Sequence, residues 1–372
     1  MRDFGKKITS TTLVSVIIDT FYRPKMLKNA VTHILQQSYT NIELIIVNNG
    51  ATKETIDYIE NVIKTDTRIK VVNFKENQFS WDDPQKLVRI CFNAGLDVCQ
   101  GDLVFYQSDD DWIAFDFIER MVKLFINNEQ CITAIGRVAN AKPSGEIINY
   151  YPIVDRPTYV EGLDLSIDFI TKKNLINQEN PGHSFVIKRD ILNRYGRFQD
   201  TFEKQQILGI VPFGISGFDP EALMYWGRHD IQLNSIGTKR LIFWEKYMLK
   251  NIESQEESFI KIWKINFGNK CAKLMEVYCH SVILTGYYQI FFSYLFAFKF
   301  HGLLNFYREY RLRINNLNHS YKYLYNGYIQ AFLRSKFLYT LNLFKLFVVQ
   351  FISSPLNTFK KTKYFLKSKI IN

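Results

Sequence analysis

Short apolar runs alternate with amphipathic segments through the first hundred residues. Four runs rich in Val, Ile, Leu and Phe each have the length of a buried strand, at 13–18, 42–47, 69–74 and 103–106. Between them, apolar residues recur every three or four positions, as in an amphipathic helix, and Pro24 stands where the first helix begins. Strands alternating with helices predict a parallel sheet with helices on both faces.

Polar residues follow three of these strands. Asp19-Thr20 ends the first, Asn48-Asn49-Gly50 the second, and Gln107-Ser108-Asp109-Asp110-Asp111-Trp112 the fourth. Ligands of such sheets bind beyond the carboxyl ends of the strands. Adjacent carboxylates repel one another, and a divalent cation that bridges to a substrate phosphate would offset their charge. The alternative is an acidic helix cap, but the convergence of three polar strand ends favours a site.

The sequence lacks two common phosphate-binding turns. There is no GxGxxG after the first strand and no GxxxxGK[ST] anywhere in the chain. The chain therefore lacks the turns with which dinucleotide-binding proteins and phosphate-loop proteins hold the phosphates of their ligands.

Two stretches carry a resemblance to a known family, VSVIIDTFYRPKMLKNAVTHILQQSYTNIELIIVNNGATKET and FNAGLDVCQGDLVFYQSDDDW. In order and spacing they resemble the nucleotide-binding half of inverting, family-2-type glycosyltransferases with a GT-A fold. The resemblance implies a Rossmann-like mixed α/β sheet, a nucleotide-diphosphate sugar donor (a UDP-sugar first) and a divalent metal, Mn2+ or Mg2+. The donor-binding residues that it implies are Asp19, Thr20, Arg23, Asn48, Asn49, Asp109 and Asp110, and the metal ligands are Asp109 and Asp111.

Three departures from the family pattern affect this assignment. Asp19 replaces the usual Pro, Asn48-Asn49 replaces an acidic pair, and Gln107 stands where many members have the first Asp of Asp-x-Asp. An Asn side chain can still hydrogen-bond a base edge through its carbonyl and its amide. The metal ligands must be drawn from Asp109 to Asp111, and the sequence leaves open which pair serves.

A second segment, GFDPEALMYWGRHDIQLNSI, resembles the acceptor-binding stretch of related sugar transferases, a Trp-Gly-Gly-Glu-Asp-like segment that opens a helix. The resemblance implies acceptor binding by Trp226, Gly227 and His229, the last of which replaces the usual Glu. It makes Asp230 the catalytic base, because inverting transfer needs a carboxylate that takes the acceptor's proton. Asp219 is the alternative base. The competing interpretation is that both acids cap helices and that Trp226 is core.

The predicted GT-A domain covers 1–252, with a donor half at about 1–130 and an acceptor half at about 131–252. Further strands are predicted at 131–139, 146–150, 184–188 and 239–247. Residues 253–372 form a predicted basic, aromatic-rich helical extension.

The extension concentrates the positive charge of the chain. From Lys299 onward there are thirteen Lys and Arg against one acid, Glu309, so this segment carries a charge of +12 and the rest of the chain −1, which gives the net charge of +11. The uncharged stretch 277–298 is long enough to cross a bilayer. Its polar residues and the basic segment after it favour helices lying on an anionic membrane surface. Two alternatives stay open: that the stretch 277–298 spans the membrane, or that the extension forms a helical bundle whose charges are solvated.

The family resemblance implies a hexosyl- or related glycosyltransferase. We expect a saccharide or lipid-linked saccharide acceptor, in the synthesis of a surface glycan such as capsule or lipopolysaccharide. The expected location is cytoplasmic and peripheral, at the inner face of the cell membrane. No nucleic-acid partner is expected. The alternatives are a nucleotidyltransferase on a similar sheet, or a non-catalytic module that binds a membrane or nucleic acid.

Overall fold

The structure is a computed structural model, and it describes residues 3–80, 86–151, 157–171, 184–198, 206–229, 238–296, 304–305 and 308. Residue contacts divide the chain into two compact units, Met1–Gln232 and Leu233–Asn372. The division between donor and acceptor halves and the limit at residue 252 stay predictions.

The first unit contains ten strands and six α-helices among the described residues. The strands are β1 (Val14–Thr20), β2 (Ile42–Asn49), β3 (Ile69–Phe74), β4 (Leu103–Ser108), β5 (Trp112–Ile113), β6 (Cys131–Ala141), β7 (Ile147–Tyr150), β8 (Tyr159–Glu161), β9 (Phe185–Lys188) and β10 (Ile215–Gly227). The helices are α1 (Pro24–Leu35), α2 (Lys53–Val62), α3 (Lys86–Val98), α4 (Phe117–Asn127), α5 (Gly162–Thr171) and α6 (Arg189–Arg194). A π-helical turn (Gln206–Ile210) and a 3-10 turn (Val211–Phe213) precede β10.

The strands form one mixed sheet in the order β3-β2-β1-β4-β9-β6-β10-β5, with β7 beside β6 and β8 beside β10. Strands β3, β2, β1 and β4 run parallel, whereas β9 is antiparallel to both β4 and β6. β10 is parallel to β6 and antiparallel to β5. The predicted mixed α/β fold is confirmed. Its parallel part brings the carboxyl ends of β1, β2 and β4 to the same edge.

Helices cover both faces of the parallel strands. Val16 and Ile18 of β1 belong to a core cluster with Leu27 of α1. Ile17, which points to the opposite face, lies so close to Gly95 of α3 that a Cβ on Gly95 would come within 2.5 Å of it. A glycine at this position therefore lets α3 approach the sheet.

A buried carboxylate ties together the amino ends of the parallel strands. Glu43 of β2 is only 4% exposed. It accepts hydrogen bonds from Ser15 Oγ (2.6 Å), Lys70 Nζ (2.6 Å) and the backbone nitrogens of Gln100 (2.5 Å) and Gly101 (3.0 Å). Burial raises the pKa of this carboxyl, but the four donors outweigh burial, and the net pKa lies below its ordinary value of 4.5.

Two predictions about the end of the first unit and the start of the second are wrong. Trp226 and Gly227 do not open a helix: they end β10, because residues 223–227 continue to pair with β6. The predicted strand at 239–247 is helical and belongs to α7 (Thr238–Phe296). Its apolar run is short, and a run of that length does not distinguish a strand from a buried helical segment.

In the second unit, α7 consists of two helices that meet at Gly268, whose backbone is non-helical (φ 82°, ψ 177°). Glu253 contacts the Tyr287 hydroxyl, and Glu256 contacts His280. Because these pairs join residues on either side of Gly268, the two helices run antiparallel as a hairpin. The predicted helical extension is confirmed to residue 296.

The structure does not test contact with a membrane surface. No helix among the described residues combines the length and the apolar character that a membrane crossing requires. Most of the basic segment after Lys299 lies outside the described residues.

Candidate active site

The acidic run lies at the sheet edge where β4 ends. In the register of the parallel strands, Asp19 lies opposite Ser108, which places Thr20 beside Asp109. The Thr20 hydroxyl donates a 2.7 Å hydrogen bond to Asp109 Oδ2. Asp109 and Asp111 are only 1% and 2% exposed, so both carboxylates depend on protein partners rather than on bulk water.

Arg23 supplies the positive charge nearest to these carboxylates. It directly precedes α1, and its Nη2 lies 2.5 Å from Asp109 Oδ1 while its Nη1 contacts Asp110 Oδ2. Burial lowers the pKa of the guanidinium, but Asp109 and Asp110 outweigh burial and raise it. Arg23 is therefore a fixed cation that bridges two neighbouring aspartates.

The end of β10 approaches the run from the other side. His229 Nε2 lies 3.0 Å from Asp110 Oδ2 and 3.4 Å from Arg23 Nη1. The Gly227 N–H donates to Asp111 Oδ1 at 3.0 Å. A Cβ on Gly227 would lie 2.0 Å from the Asp110 carbonyl oxygen, so only glycine fits here. The structure thus joins the predicted donor and acceptor segments in one acid cluster, defined as Asp19, Arg23, Asp109, Asp110, Asp111 and His229.

The acid cluster holds more negative charge than one guanidinium offsets. Burial, and then the neighbouring Asp109, raise the pKa of Asp19 to about 7. Burial raises the pKa of Asp109 to about 6 although Arg23 opposes it, and burial with Asp110 raises that of Asp111 well above its ordinary range. Burial also acts on Asp110, but contacts with His229 and Arg23 lower its pKa. The cluster is suited to receive further positive charge.

The predicted metal does not fit the side chains as they are arranged. No three His, Cys, Asp or Glu side chains in the described part of the chain surround a common metal position. Of the predicted ligands, Asp109 faces the guanidinium of Arg23 and Asp111 faces the Gly227 N–H. Gln107 is fully buried and donates from Nε2 to the Asp111 carbonyl oxygen at 2.9 Å. The negative charge of the acid cluster would attract a cation, but the guanidinium of Arg23 already occupies the position beside Asp109 and Asp110.

The two asparagines at the end of β2 do not join the acid cluster. Asn48 Nδ2 donates to Asn73 Oδ1 at 2.8 Å, and Asn49 Nδ2 donates to Asn77 Oδ1 at 3.0 Å. Asn49 Oδ1 also accepts from the Gln78 N–H at 2.8 Å. Both side chains are buried and are bonded to the end of β3 and to the residues just after it. Asn73 and Asn77 were not predicted from the sequence, because their only signal was their position at and just after a strand end.

One face of the Trp226 ring is covered by a cation. The guanidinium of Arg228 lies over the ring, 3.7 Å from its centroid, and the Tyr151 ring is near-parallel at 6.3 Å. Arg228 Nε donates to Asn140 Oδ1 at 2.6 Å. Arg228 was missed as well, since a single arginine in the sequence does not reveal what it stacks on.

The structure describes only one of the two candidate bases, Asp219. Asp230 lies outside the described residues, so its role stays a prediction. Asp219 accepts from Arg120 Nη1 at 3.2 Å and lines a cavity of about 440 Å³ together with Lys123, Thr158 and Tyr159. No residue of the acid cluster lines that cavity. The structure therefore does not bring Asp219 to the acidic run.

Comparison with known proteins places this geometry in a family. The sequence profile described as "Glycosyl transferase family 2" matches residues 15–223. The chain belongs to glycosyl transferase family 2. Gly227 and His229 of this family 2 chain lie beyond the match, so it is the contacts with Asp110 and Asp111 that tie them to the site.

Curated relatives of the family 2 chain are bacterial glycosyltransferases. GlyG of Streptococcus pneumoniae is 26% identical over 216 residues, 57% of this chain and 64% of that protein. An uncharacterized glycosyltransferase of Haemophilus influenzae is 31% identical over 121 residues, 32% of this chain and 45% of that protein. The GalNAc(5)-diNAcBac-PP-undecaprenol beta-1,3-glucosyltransferase of Campylobacter jejuni is 31% identical over 98 residues, 26% of this chain and 29% of that protein. Each match leaves more than a third of the relative's length uncovered.

Proposed function

We propose that this family 2 chain transfers a sugar from a nucleotide-diphosphate sugar to an acceptor hydroxyl. The observation that carries the proposal is the acid cluster, which β1, β4 and the end of β10 build at one sheet edge around Arg23. Ligands of such sheets bind beyond these strand ends. A guanidinium matches the oxygens of a diphosphate and binds them through two parallel hydrogen bonds.

In the proposed reaction the acceptor hydroxyl attacks the anomeric carbon of the donor. The bond from that carbon to the diphosphate oxygen breaks, the nucleoside diphosphate leaves, and the configuration inverts. Asp230 takes the proton of the hydroxyl as general base. Support for Asp230 comes from the family resemblance and from its neighbour in the chain, His229, which contacts Asp110 of the acid cluster.

The donor is proposed to be a UDP-sugar carrying a hexosyl or related group. Asn48 and Asn49 give no support for uracil over other bases, because their amides bond within the protein. A divalent metal, Mn2+ or Mg2+, stays a prediction, since Arg23 lies against the carboxylates that it would need.

The proposed acceptor is a saccharide or lipid-linked saccharide of a bacterial surface glycan. One relative is named for transfer to an undecaprenol-linked saccharide and another for teichuronic acid biosynthesis. The thirteen basic residues after residue 298 support a peripheral position on an anionic membrane surface, at its cytoplasmic face.

The test uses the full-length protein and two aspartate variants. Calorimetry with UDP, GDP and CDP, each with and without Mn2+, measures nucleotide affinity, and a coupled assay measures nucleoside diphosphate released to a lipid-linked acceptor. Asp230→Asn should abolish release and keep nucleotide affinity, whereas the matched control Asp219→Asn should keep both. A chain that binds none of the three nucleotides under either condition would refute the proposal.

A further inference from the structure

Arg228 lies beside the acid cluster without belonging to it. The residue before it contacts the cluster, because the Gly227 N–H donates to Asp111 Oδ1 at 3.0 Å. The residue after it does so too, since His229 Nε2 lies 3.0 Å from Asp110 Oδ2. The backbone of Arg228 is therefore held at the border of the site from both directions.

Two contacts fix the guanidinium of Arg228. It lies over the Trp226 ring, 3.7 Å from the ring centroid, and its Nε donates to Asn140 Oδ1 at 2.6 Å. The amide of Asn140 is itself held, since its Nδ2 donates to Asn149 Oδ1 at 2.6 Å. A guanidinium has five N–H donors in one plane, and only the donor on Nε is used here. Stacking on a ring occupies the face of the guanidinium and leaves the edge formed by Nη1 and Nη2 for another ligand.

The Nη groups of Arg228 have no acidic partner within the part of the chain that the structure describes. Arg228 forms no ion pair there, and its one side-chain hydrogen bond is that of Nε. Arg23, by contrast, bridges two aspartates of the acid cluster. Arg228 is half-buried, so an ion pair with it would be screened less than one on an open surface. A guanidinium held in this way can bind a carboxylate or a phosphate through two parallel hydrogen bonds.

We propose that Arg228 forms a subsite for an anionic group, a carboxylate or a phosphate, on the acceptor saccharide. The Nη1 and Nη2 groups bind the anion, while Trp226 and Asn140 hold the guanidinium in position. The inference rests on the proposed function only where it calls this saccharide the acceptor.

The charges around Arg228 would also orient such an acceptor. The carboxylates of the acid cluster repel an anionic group, whereas Arg228 attracts it, and charge complementarity of this kind fixes orientation and excludes wrong partners. The acceptor would place its anionic group at Arg228 and direct its neutral hydroxyls toward the sheet edge where the donor is proposed to bind. Arg228 would therefore select acidic saccharides over neutral ones.

The test compares binding of two matched sugars to the full-length protein by ligand-observed NMR titration. Methyl β-D-glucuronide carries a carboxylate where methyl β-D-glucoside carries a hydroxymethyl group. The wild type should bind the glucuronide at least about ten-fold more tightly, a difference of about 1.4 kcal/mol. Equal affinities, or no binding of the glucuronide and of the phosphate probe below, would overturn the inference.

A third probe distinguishes the two possible sources of the anionic group. Methyl β-D-glucoside 6-phosphate carries a phosphate on the same sugar. Tighter binding of this probe than of the glucuronide would identify a phosphate-bearing acceptor, and the reverse order would identify an acceptor that contains a uronic acid. Either order supports the anionic subsite if the neutral glucoside binds more weakly than both.

Arg228→Gln removes the charge and should lower the affinity for the anionic sugars to that for the neutral one. Arg137→Gln is the matched control. The guanidinium of Arg137 also lies over a ring, 4.6 Å from the centroid of Tyr150, and its Nε donates to the Tyr151 carbonyl oxygen at 3.0 Å. It lies on β6, about 13 Å along the strand from the residue opposite Gly227, so the control should keep the preference. An Arg228→Gln protein with the preference of the wild type would overturn the inference.

Two further measurements complete the test. If circular dichroism shows that Arg228→Gln does not fold, Arg228→Lys replaces it. An ammonium cannot form the paired hydrogen bonds of a guanidinium, so the preference should fall, and an unchanged preference would overturn the inference. Calorimetry with UDP, GDP and CDP separates this inference from the proposed function. A wild type that prefers anionic sugars but binds no nucleotide has the subsite without the proposed donor, whereas nucleotide binding without that preference overturns the subsite alone.

Discussion

The ends of β2 and β4 lie at the same sheet edge, separated by β1, and both carry adjacent polar residues. At the end of β2, Asn48 bonds to Asn73 in β3, the next strand along the chain, and Asn49 bonds to Asn77 just after that strand. At the end of β4, the three aspartates bond to Thr20, Arg23, Gly227 and His229, which come from two distant segments. The polar side chains at the end of β2 therefore bond to the next strand and turn, whereas those at the end of β4 bond to residues from distant parts of the unit.

The chemistry of the side chains explains this difference. A primary amide both donates and accepts, so two asparagines and a nearby loop can satisfy one another. An ionised carboxylate only accepts, and three in a row must find donors elsewhere. The acidic strand end therefore becomes the point where distant segments meet.

The largest effect on the site at the end of β4 is expected from Gly227→Ala, at the end of β10. The new Cβ would lie 2.0 Å from the Asp110 carbonyl oxygen, a backbone atom that cannot rotate away, and it would disturb the hydrogen bond to Asp111. We expect a loss of about 3 kcal/mol in unfolding free energy together with loss of nucleotide binding. Thermal unfolding and calorimetry with UDP measure the two effects.

Gly217→Ala on the same strand is the control for this change. Its Cβ would meet side-chain atoms of Leu124 and Cys131 at 3.0 Å and 3.3 Å, which can adjust, so the loss should be near 1 kcal/mol with nucleotide binding kept. If Gly227→Ala kept full nucleotide affinity, the end of β10 would not belong to the site.

A weaker effect is expected from Glu43→Gln, at the amino ends of the same strands and so at the opposite edge of the sheet. Glu43 bonds to strands β1 and β3 and to the turn before β4. A Gln side chain keeps one acceptor oxygen but turns an N–H group toward the remaining donors. The variant should lose about 2 kcal/mol of unfolding free energy at neutral pH.

The pH dependence of this stability difference shows whether the negative charge of Glu43 is its cause. Since the folded-state pKa of Glu43 lies below its ordinary value of 4.5, its contribution is fully present above that value and is lost as the pH falls through the folded pKa. The difference between wild type and Glu43→Gln should therefore shrink below pH 4.5. Chemical unfolding across this range measures it, and a constant difference would assign the loss to packing instead.

Most of the parallel sheet was predictable from the sequence, because β1, β2 and β4 are almost entirely buried and appear as continuous apolar runs. The predicted strand at 69–74 matches β3 residue for residue, and Pro24 begins α1 as expected. The segment around Trp226 was not predictable, since its strand character comes from pairing with β6. Pairing of distant segments leaves no local pattern in the sequence.

The sequence predicted which residues form the site but not which of their side chains contact one another. The sequence indicated Asp109 to Asp111 and Arg23 as site residues, and the structure brings them together. It did not indicate that Arg23 would neutralise the aspartates, or that Asn48 and Asn49 would bond within the protein. Those outcomes depend on side-chain directions at strand ends, which residue spacing does not fix.

The smallest effects should come from a matched pair at the end of β2, Asn48→Asp and Asn49→Asp. Each removes one donated hydrogen bond. The partner of Asn48, Asn73, is exposed and can turn its own amide to donate instead, so the loss should stay below about 0.5 kcal/mol. The partner of Asn49, Asn77, also accepts from the Phe79 N–H at 2.7 Å. Turning its amide would break that bond, so this loss should reach about 1–2 kcal/mol.

Thermal unfolding compares the two variants, and UDP calorimetry checks that affinity is unchanged. A clear rise in UDP affinity for Asn48→Asp would mean that this side chain faces the nucleotide base, and the contrast between the two strand ends would no longer hold.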